Sequence, residues 1–587
     1  MAGILKSRLT LVVLVVAILA TTAFAVDLAI GDTTPPNDLF AIGQGGGDTP
    51  DPVQVVKRAE PPFAPTPVDK CDPGSRPEPG IDGRVPAGSD PNGLICNLQV
   101  VAHQGTEGGF KVFRYFDNAG HECAFYDTTL LFPTNALNPG GGSVGVAVLD
   151  MSDPSHPVQT DTLTEPAMLT PHESLNLNAK RGLLAAVAGN PATAPGFFSV
   201  YDVSKDCRHP VLDATGPWAR FGHESGFSAD GKTFYATSTA LQDITAIDLT
   251  DPKHPKDVWQ GAIKSHGMSL SDDGNRAYIA DPGGQLLILD TSQIQARKAS
   301  PHTREIARLT WNSASIPQNA IPFNENGHPY LLETDEYTQQ TLNPTGDANM
   351  VGGARIIDIA DETKPVVASN LRLAVNMPAE HKAASGDPGT LSPAQGYAAH
   401  YCNVPYEDNP KIAACGFIAS GLRVFDISDI QHPKEIGYYV VPSHGSTQNG
   451  YDGSNYDMSK PAFAPERREI WFSDGGTGFY VVRVDKDVWP TGGGGSPGTV
   501  HTQTPALRAC KSRGRFRVRV KTPHGAKVRS IRATFGGKRV KIVRRGRSRY
   551  AMVNPAAVKG RSSARLVIRV HAGRRTLKTS RVYKLCA

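Results

Sequence analysis

The chain of 587 residues is long enough for two or three domains and a sizeable hydrophobic core. Its 59 glycines and 46 prolines, with only 7% aromatic residues, favour a turn-rich all-β protein, and no stretch after the N-terminus is apolar enough to span a bilayer. The formal net charge of +5 conceals an asymmetry, because residues 506–587 contain 26 Lys and Arg and no Asp or Glu. That leaves 35 of the 61 basic residues, against all 56 acidic ones, in residues 1–505.

The N-terminus has the pattern of a secretory signal peptide over residues 1–25. Lys6 and Arg8 precede an apolar run at 9–20, and residues 23–25 (AFA) offer a small-x-small cleavage site. An uncleaved anchor is the alternative. The pattern predicts a secreted protein. Residues 26–97 are rich in Pro, Gly and Asp, so we expect a partly disordered leader, short pieces of which add to the edge of the next domain.

One short motif recurs seven times within residues 98–490. In the clearest copy, 420–440 (SGLRVFDISDIQHPKEIGYYV), Gly421 precedes an apolar run that ends in Asp426, and a turn closed by Pro433 leads to a second run. The other copies lie at 144–158, 197–211, 244–258, 287–292, 354–368 and 479–490. An apolar block between turn residues is typical of a strand buried on both faces, and its terminal aspartate favours an Asx turn.

The spacing of the copies predicts a β-propeller. Successive terminal aspartates lie roughly 40 to 70 residues apart, the length of a four-stranded blade with its loops. Hairpin signals such as FSADGKTFYATS and LSDDGNRAYIAD precede the good copies and supply the two inner strands. Since one such sheet cannot bury both of its faces, the units must stack around an axis, which predicts seven blades.

These copies resemble the LVIVD-repeat family, secreted bacterial proteins expected to form β-propellers. The resemblance covers roughly residues 98–490. It implies a fold and almost nothing about activity, because propellers host binding and catalysis alike.

Loop lengths distinguish the two faces of the predicted propeller. The long insertions fall on one face, at 133–143, 189–195, 340–352, 376–396 and 445–460. Long loops on a rigid scaffold commonly carry binding sites, so we expect this face to recognise a protein or a small ligand. The opposite face receives short turns, and we interpret the four histidines that precede a proline there as exposed turn residues: His156, His209, His254 and His432.

A second set of histidines recurs at the start of the innermost strands. His223 stands twelve residues before Tyr235, and His266 stands the same distance before Tyr278. His172 and His400 fit the same register, whereas the fifth blade has Asn319 at this position. We therefore expect these side chains to line the mouth of the central channel.

Two interpretations of these histidines remain open. In the structural one, each imidazole bonds a turn of its own or of a neighbouring blade, and the protein is a binding scaffold. In the other, His172, His223, His266 and His400 bind a divalent transition metal ion. Three acidic residues in LLETDEY are candidate ligands with them: Glu333, Asp335 and Glu336. Glu173 and Glu224 are further available carboxylates. This alternative implies a metal-dependent oxidase or hydrolase with its site at the channel mouth.

The eight cysteines of an exported chain suggest disulfides. We expect Cys510 to pair with Cys586, and Cys402 with Cys415 between the two inner strands of the sixth blade. Four cysteines remain, for which the pairs Cys71–Cys96 and Cys123–Cys207 are the default, with other partners open. The sequence has no CxxC, HExxH or GxSxG motif, so it gives no sign of a thiolate zinc site, a metalloprotease helix or a nucleophile elbow.

Residues 491–505 read as a linker, and residues 506–587 as a small basic β-domain. Apolar and basic residues alternate over 515–520, 528–535, 538–545, 564–570 and 580–586, which buries one face of each strand and presents arginines on the other. A disulfide from first to last strand would close an immunoglobulin-like sandwich. The domain looks like basic C-terminal modules of secreted actinobacterial proteins. We expect it to attach to an anionic cell-wall polymer or glycan of the envelope, without sequence-specific binding of nucleic acid, because stacking aromatics are sparse.

Overall fold

The computed structural model describes residues 46–89, 91–129, 145–189, 196–391, 396–443 and 455–490, then 516–520, 528–545, 548–554, 563–572 and 575–584. The predicted signal peptide, the linker and the cysteines Cys510 and Cys586 lie outside these ranges. The chain divides into two compact units, Met1–Thr504 and Pro505–Ala587. Each unit is all-β in its described residues, with many small sheets and few short helices.

The first unit begins with three strands that join later sheets. They are β1 (Val55–Lys57), β2 (Leu94–Cys96) and β3 (Leu98–Gln104). The first sheet then contains β4 (Val112–Phe116), β5 (Glu122–Asp127), β6 (Val146–Asp150) and β7 (Val158–Leu163). The second contains β8 (Asn176–Asn178), β9 (Leu183–Val187), β10 (Phe198–Asp202) and β11 (Val211–Gly216).

The next three sheets repeat this order of four antiparallel strands. The third contains β12 (Gly226–Phe227), β13 (Thr233–Ser238), β14 (Asp243–Asp248) and β15 (Lys256–Gly261). The fourth contains β16 (Gly267–Leu270), β17 (Arg276–Asp281), β18 (Gln285–Asp290) and β19 (Arg304–Thr310). The fifth contains β20 (Ile316–Glu325), β21 (His328–Glu336), β22 (Ala354–Asp358) and β23 (Val366–Leu371).

The last two sheets incorporate strands from the beginning of the chain. The sixth contains β24 (Ala399–Asn403), β25 (Ile412–Phe417), β26 (Gly421–Asp426) and β27 (Lys434–Val440). The seventh contains β28 (Ala462–Ala464), β29 (Glu469–Asp474) and β30 (Gly478–Val484), with β3 as its fourth strand. In addition, β1 pairs in parallel with β19 and β2 pairs with β27, which agrees with the expectation that pieces of the leader extend the sheets.

Apolar side chains pack between every pair of consecutive sheets. Val148 and Leu184 belong to the cluster between the first and second sheets, and similar clusters follow between each later pair. Ala124 and Trp471 then join the first sheet to the seventh. Both faces of each sheet are therefore buried, which explains the apolar runs of the repeat and gives a β-propeller.

The repeated aspartates form the turns that the sequence predicts. Each accepts a hydrogen bond at Oδ1 from the amide N–H two residues later, at 2.8–3.0 Å. The six aspartates are Asp150, Asp202, Asp248, Asp290, Asp358 and Asp426. Such Asx turns fix where the third strand of a blade ends.

Helices in the described residues are confined to connections. They are α1 (Pro166–Leu169), α2 (Ser292–Gln295), α3 (Gln339–Leu342), α4 (Pro378–Ala383) and α5 (Pro388–Leu391), with 3-10 turns at Ala374–Asn376, Ile418–Ser420 and Pro465–Arg467. Within the described part of the chain, none of them has the length and apolar character needed to cross a membrane.

Three disulfides link segments of the first unit. Cys402 and Cys415 face each other on β24 and β25, and the other pairs are Cys71–Cys96 and Cys123–Cys207. The predicted pair Cys510–Cys586 lies outside the described residues.

The second unit has two sheets around its own apolar cluster. One sheet contains β31 (Phe516–Arg519), β34 (Lys541–Arg545) and β35 (Ser548–Val553). The other contains β32 (Val528–Phe535), β33 (Lys538–Arg539), β36 (Ser563–Ala572) and β37 (Arg575–Lys584). Phe535, Leu566 and Ile568 are buried in the cluster, whereas Arg532 and Arg569 are exposed.

Candidate metal centre

The four recurring histidines lie at the start of the first strand in four different sheets. His172 and His223 precede β8 and β12, His266 directly precedes β16, and His400 lies in β24. The ring centroids of His172 and His223 are 4.5 Å apart, and those of His223 and His266 are 4.7 Å apart. His266 and His400 are buried, whereas His172 and His223 retain partial exposure. The shared register therefore brings these side chains together.

Two glutamates from other positions approach the same imidazoles. Glu336 places Oε1 3.2 Å from Nε2 of His266 and Oε2 3.4 Å from Nε2 of His400. Glu173 places Oε1 3.5 Å from Nε2 of His400 and Oε2 3.8 Å from Nδ1 of His223. Both carboxylates are buried, so nitrogen and oxygen atoms from five sheets, the second to the sixth, surround one region.

Backbone carbonyls fix the orientation of three imidazoles. Nδ1 lies 2.8 Å from a carbonyl oxygen in the pairs His172–Gly189, His266–Pro317 and His400–Met458. Because a carbonyl only accepts, Nδ1 carries the proton and Nε2 of a neutral ring offers its lone pair. His223 differs, since its Nδ1 lies 3.0 Å from the His266 carbonyl and 2.8 Å from the Glu224 amide nitrogen. His172, His266 and His400 thus bond neighbouring turns through Nδ1, which leaves their Nε2 atoms for a metal, whereas the His223 atom nearest to Glu173 is Nδ1.

The spacing around His400 fits a bound cation better than a set of hydrogen bonds. Its Nε2 faces two carboxylates and has no hydrogen-bond partner among the described residues. Charge-assisted hydrogen bonds would bring the atoms to about 2.7–2.9 Å. Atoms that bind one metal ion at ~2.1 Å lie roughly 3.0–3.4 Å from each other, close to the separations seen here.

The electrostatics of the cluster demand positive charge at its centre. Burial opposes ionisation of Glu173, but the charges of His223 and His400 outweigh it and hold its pKa well below the usual range. Burial also opposes protonation of His400, yet Glu173 and Glu336 raise the pKa of its imidazole to about 10, so a metal ion would have to displace a proton from this ring. Burial lowers the pKa of His223 well below its usual value, although the neighbouring Glu173 carboxylate opposes this shift.

The backbone is strained at the same place. His172 and Glu173 have φ angles of 40° and 71°, a left-handed conformation that is uncommon for residues with a Cβ. Tyr337, which follows Glu336, has a φ of 62°. Such residues cluster at functional sites, where the surrounding fold holds them in place.

Two residues that the sequence did not single out hold the Glu173 carboxylate. The Tyr401 hydroxyl donates to its Oε2 at 2.7 Å, and the side-chain amide of Gln318 donates to the same oxygen. Gln318, and not Asn319, occupies the channel position of the fifth sheet, because a β-bulge between Pro317 and Asn319 shifts the register of β20. A proline inside a strand is a signal for such a bulge.

Glu333 and Asp335 do not join the histidines. Both bind the buried guanidinium of Arg355, with Asp335 Oδ2 2.9 Å from Nη2. Side chains alternate between the faces of a strand, so Glu336 points away from the face that carries its two acidic neighbours. The sequence analysis grouped the three carboxylates because they are close in sequence, but they lie on opposite faces of the strand. Of the three, Glu336 contacts histidines, and the prediction is wrong for Glu333 and Asp335.

Other groups of acidic residues and histidines stabilise turns through hydrogen bonds. Asp117 binds the backbone amides of Ala119, Gly120 and His121 and the His121 ring. The turn histidines predicted to be exposed are largely so, with side-chain exposures of 81%, 76% and 83% for His156, His254 and His432. Much of the predicted loop-rich face, including 130–144, 190–195, 392–395 and 444–454, lies outside the described residues, so recognition through it stays a prediction.

One known repeat family matches a segment that includes His266 of this cluster. The family model of the LVIVD repeat, a family found in secreted bacterial β-propeller proteins, matches residues 266–294, from His266 into α2. A search of curated protein sequences finds no match.

Several solved structures are similar to this chain at low sequence identity. The periplasmic gluconolactonase of Pseudomonas aeruginosa is 12% identical over 59% of this chain and 96% of its own, with a TM-score of 0.41. A functionally unknown protein from Desulfotomaculum acetoxidans is 10% identical over 60% and 88%, with a TM-score of 0.37. Hydrazine synthase of Kuenenia stuttgartiensis is 14% identical over 56% and 81%, with a TM-score of 0.35. Likeness at these values carries no inference about activity.

Proposed function

Since the chain carries a repeat of the LVIVD family, we propose that residues 98–490 close as a seven-bladed β-propeller whose channel binds a divalent transition metal ion. The proposed ligands are His172, His223, His266 and His400 with Glu173 and Glu336. The observation that carries the proposal is that Nε2 of His400 has no hydrogen-bond partner within the described part of the chain and faces two carboxylates at the spacing of metal ligands. Imidazole and carboxylate donors suit zinc, iron, manganese, cobalt or nickel, and the set contains no thiolate that would favour a softer ion.

The function that this site supports best is that of a metal-dependent enzyme, an oxidase or a hydrolase. A bound ion supplies Lewis acidity or an activated water. The residues of the chain supply the rest: the carbonyl contacts orient the imidazoles, and Tyr401 and Gln318 orient Glu173. Strained backbone and shifted pKa values in one buried cluster favour catalysis over a purely structural role.

Metal analysis of the purified full-length protein tests this proposal. We expect about one ion per chain in the wild type, measured by inductively coupled plasma mass spectrometry after reconstitution and desalting. The ion is lost from the double variant His223→Ala/His266→Ala. The matched control is His156→Ala/His254→Ala, in which two exposed turn histidines are removed and the metal is retained.

Circular dichroism and thermal unfolding show whether each variant folds. A folded wild type that takes up no zinc, manganese, iron, cobalt or nickel would contradict the metal proposal. Equal metal content in both double variants would contradict the assignment of the ligands.

We also propose that residues 506–587 form a disulfide-closed immunoglobulin-like domain that attaches a secreted protein to anionic polymers of the cell envelope. Support comes from its 26 basic and no acidic residues. Support also comes from Arg532 and Arg569, which are exposed and directly opposite each other on β32 and β36. Like charges in that position are unfavourable unless an anion lies between them.

Co-sedimentation of the full-length protein with purified cell walls tests the attachment. Binding should fall as salt is raised, because a polyanion releases counterions when basic side chains bind it. The variant Arg532→Ser/Arg569→Ser should bind more weakly with a smaller salt dependence. Salt-independent binding, or no binding to walls, would contradict this second proposal without affecting the metal site.

A further inference from the structure

Two lysines lie side by side where the first and seventh sheets meet. Lys111 precedes β4, Lys460 precedes β28, and the two residues form a parallel backbone bridge. The amide of Val112 donates to the Lys460 carbonyl at 3.1 Å, and the Lys460 amide donates to the Phe110 carbonyl at 2.7 Å. The backbone therefore brings two cationic residues into one region of the channel.

The charge of Lys111 is already compensated. Its buried Nζ lies 2.5 Å from Oε1 of Glu224, which lies just before β12 of the third sheet. The other oxygen of Glu224 accepts the amide N–H of Met268 at 2.7 Å. A Cβ at Gly267 would lie 2.8 Å from this carboxylate, so glycine makes room for it. Both oxygens of Glu224 are thus engaged, with one ammonium group and one amide.

The charge of Lys460 is not compensated in the same way. Its side chain is half-buried and forms no ion pair within the described residues. Burial and the neighbouring charge of Lys111 lower the pKa of Lys460 to about 8, despite the opposing charge of Glu224. Asp127, a further carboxylate near Lys111, accepts the backbone amides of Phe110 and Lys111 instead.

The lysine pair adjoins the proposed metal ligands. Nζ of Lys111 lies 5.4 Å from the centroid of the Tyr401 ring, whose hydroxyl binds Glu173. Glu224 directly follows His223 in the sequence. A small molecule beside the lysines is therefore only one or two side chains away from the ion that the histidines would hold.

We propose that Lys460, with Lys111 beside it, binds the oxyanion group of a small anionic substrate in the channel. A carboxylate or a phosphate group would supply the negative charge that Lys460 lacks among the described residues. The role of that anion as a substrate rests on the proposed function, whereas its binding to Lys460 requires no metal.

Site-resolved acetylation of the full-length protein tests the proposal. Bound oxyanion stabilises the ammonium form of Lys460 by about one pKa unit or more, so its acetylation at neutral pH should slow about tenfold. The labelling rate is measured by peptide mass spectrometry with saturating inorganic phosphate, with acetate, or with glucose as a neutral solute. Lys364, exposed in a turn beside Asp361, is the internal control and should be unaffected.

Each outcome distinguishes this inference from the metal proposal, because metal content is measured in the same samples, with and without chelator. Unchanged labelling of Lys460 in folded protein, or no labelling at all, overturns the anion site even if metal is bound. Protection by phosphate or acetate in protein that binds no metal supports the anion site and contradicts only the proposed enzyme.

Discussion

Two buried acidic clusters of the propeller unit share one strand, yet their contacts differ. On β21, Glu333 and Asp335 bind the guanidinium of Arg355 directly, and Asp335 Oδ2 lies 2.9 Å from its Nη2. One residue further, Glu336 lies 3.2 and 3.4 Å from the imidazoles of His266 and His400. The first cluster contains its own permanent cation, whereas the second contains imidazoles, whose charge depends on protonation.

This difference indicates how buried carboxylates can be assigned to structure or to function. Arg355 stays charged under all conditions and is further enclosed by Trp311, whose ring centroid is 4.2 Å away. Such a guanidinium stabilises one packing arrangement and neither releases a proton nor makes way for another ion. Histidines can lose their protons, so carboxylates beside them suit the reversible binding of an ion that we propose for Glu173 and Glu336. Comparing the two clusters therefore provides internal controls for every experiment on the channel.

The largest expected effect comes from breaking the arginine cluster. Arg355→Met removes the cation and leaves Glu333 and Asp335 buried without it, which should lower the free energy of unfolding by about 3–5 kcal/mol. The metal content per folded chain should not change, because none of the proposed ligands contacts Arg355. Denaturant unfolding and metal analysis of the same sample measure both quantities. A parallel loss of metal would show that the two clusters are coupled through β21.

A smaller effect on stability, and a larger one on metal binding, is expected from Glu336→Gln. The amide keeps the size of the side chain but removes its charge from His266 and His400. Metal affinity should fall by more than the roughly 10–100-fold that loss of an outer-shell partner costs. Competition with a chromophoric chelator measures the affinity.

Glu333→Gln is the matched control for Glu336→Gln, because it changes the same residue type on the other face of the strand. It should destabilise the protein equally with and without metal and leave the affinity unchanged. The comparison fails if the two variants lose metal affinity to the same extent.

Features that lie within a single repeat could be predicted from the sequence, whereas contacts between residues of different repeats could not. The register of His223 to Tyr235 recurs in other blades, so the convergence of four histidines followed from it. The partners of Glu173 could not be predicted in this way, because Gln318 and Tyr401 are 145 and 228 residues away in other sheets. Asn319 was placed one residue off by the bulge at Pro317, and Glu333 and Asp335 were assigned without regard to the alternation of the strand.

The smallest effect tests whether the contacts behind Glu173 belong to the site. Tyr401→Phe removes the hydroxyl that donates to this carboxylate at 2.7 Å, while Gln318 still binds the same oxygen. Metal affinity should therefore fall only about tenfold, the lower end of the range for outer partners of a ligand.

The matched control is Tyr397→Phe, a buried tyrosine whose hydroxyl binds the Val85 backbone. The control should lose stability without losing affinity, since its hydroxyl serves the packing of the leader against the sixth sheet. If both variants lose affinity equally, the effect is a general loosening of the propeller. If neither does, Glu173 is oriented by the fold around it and not by Tyr401.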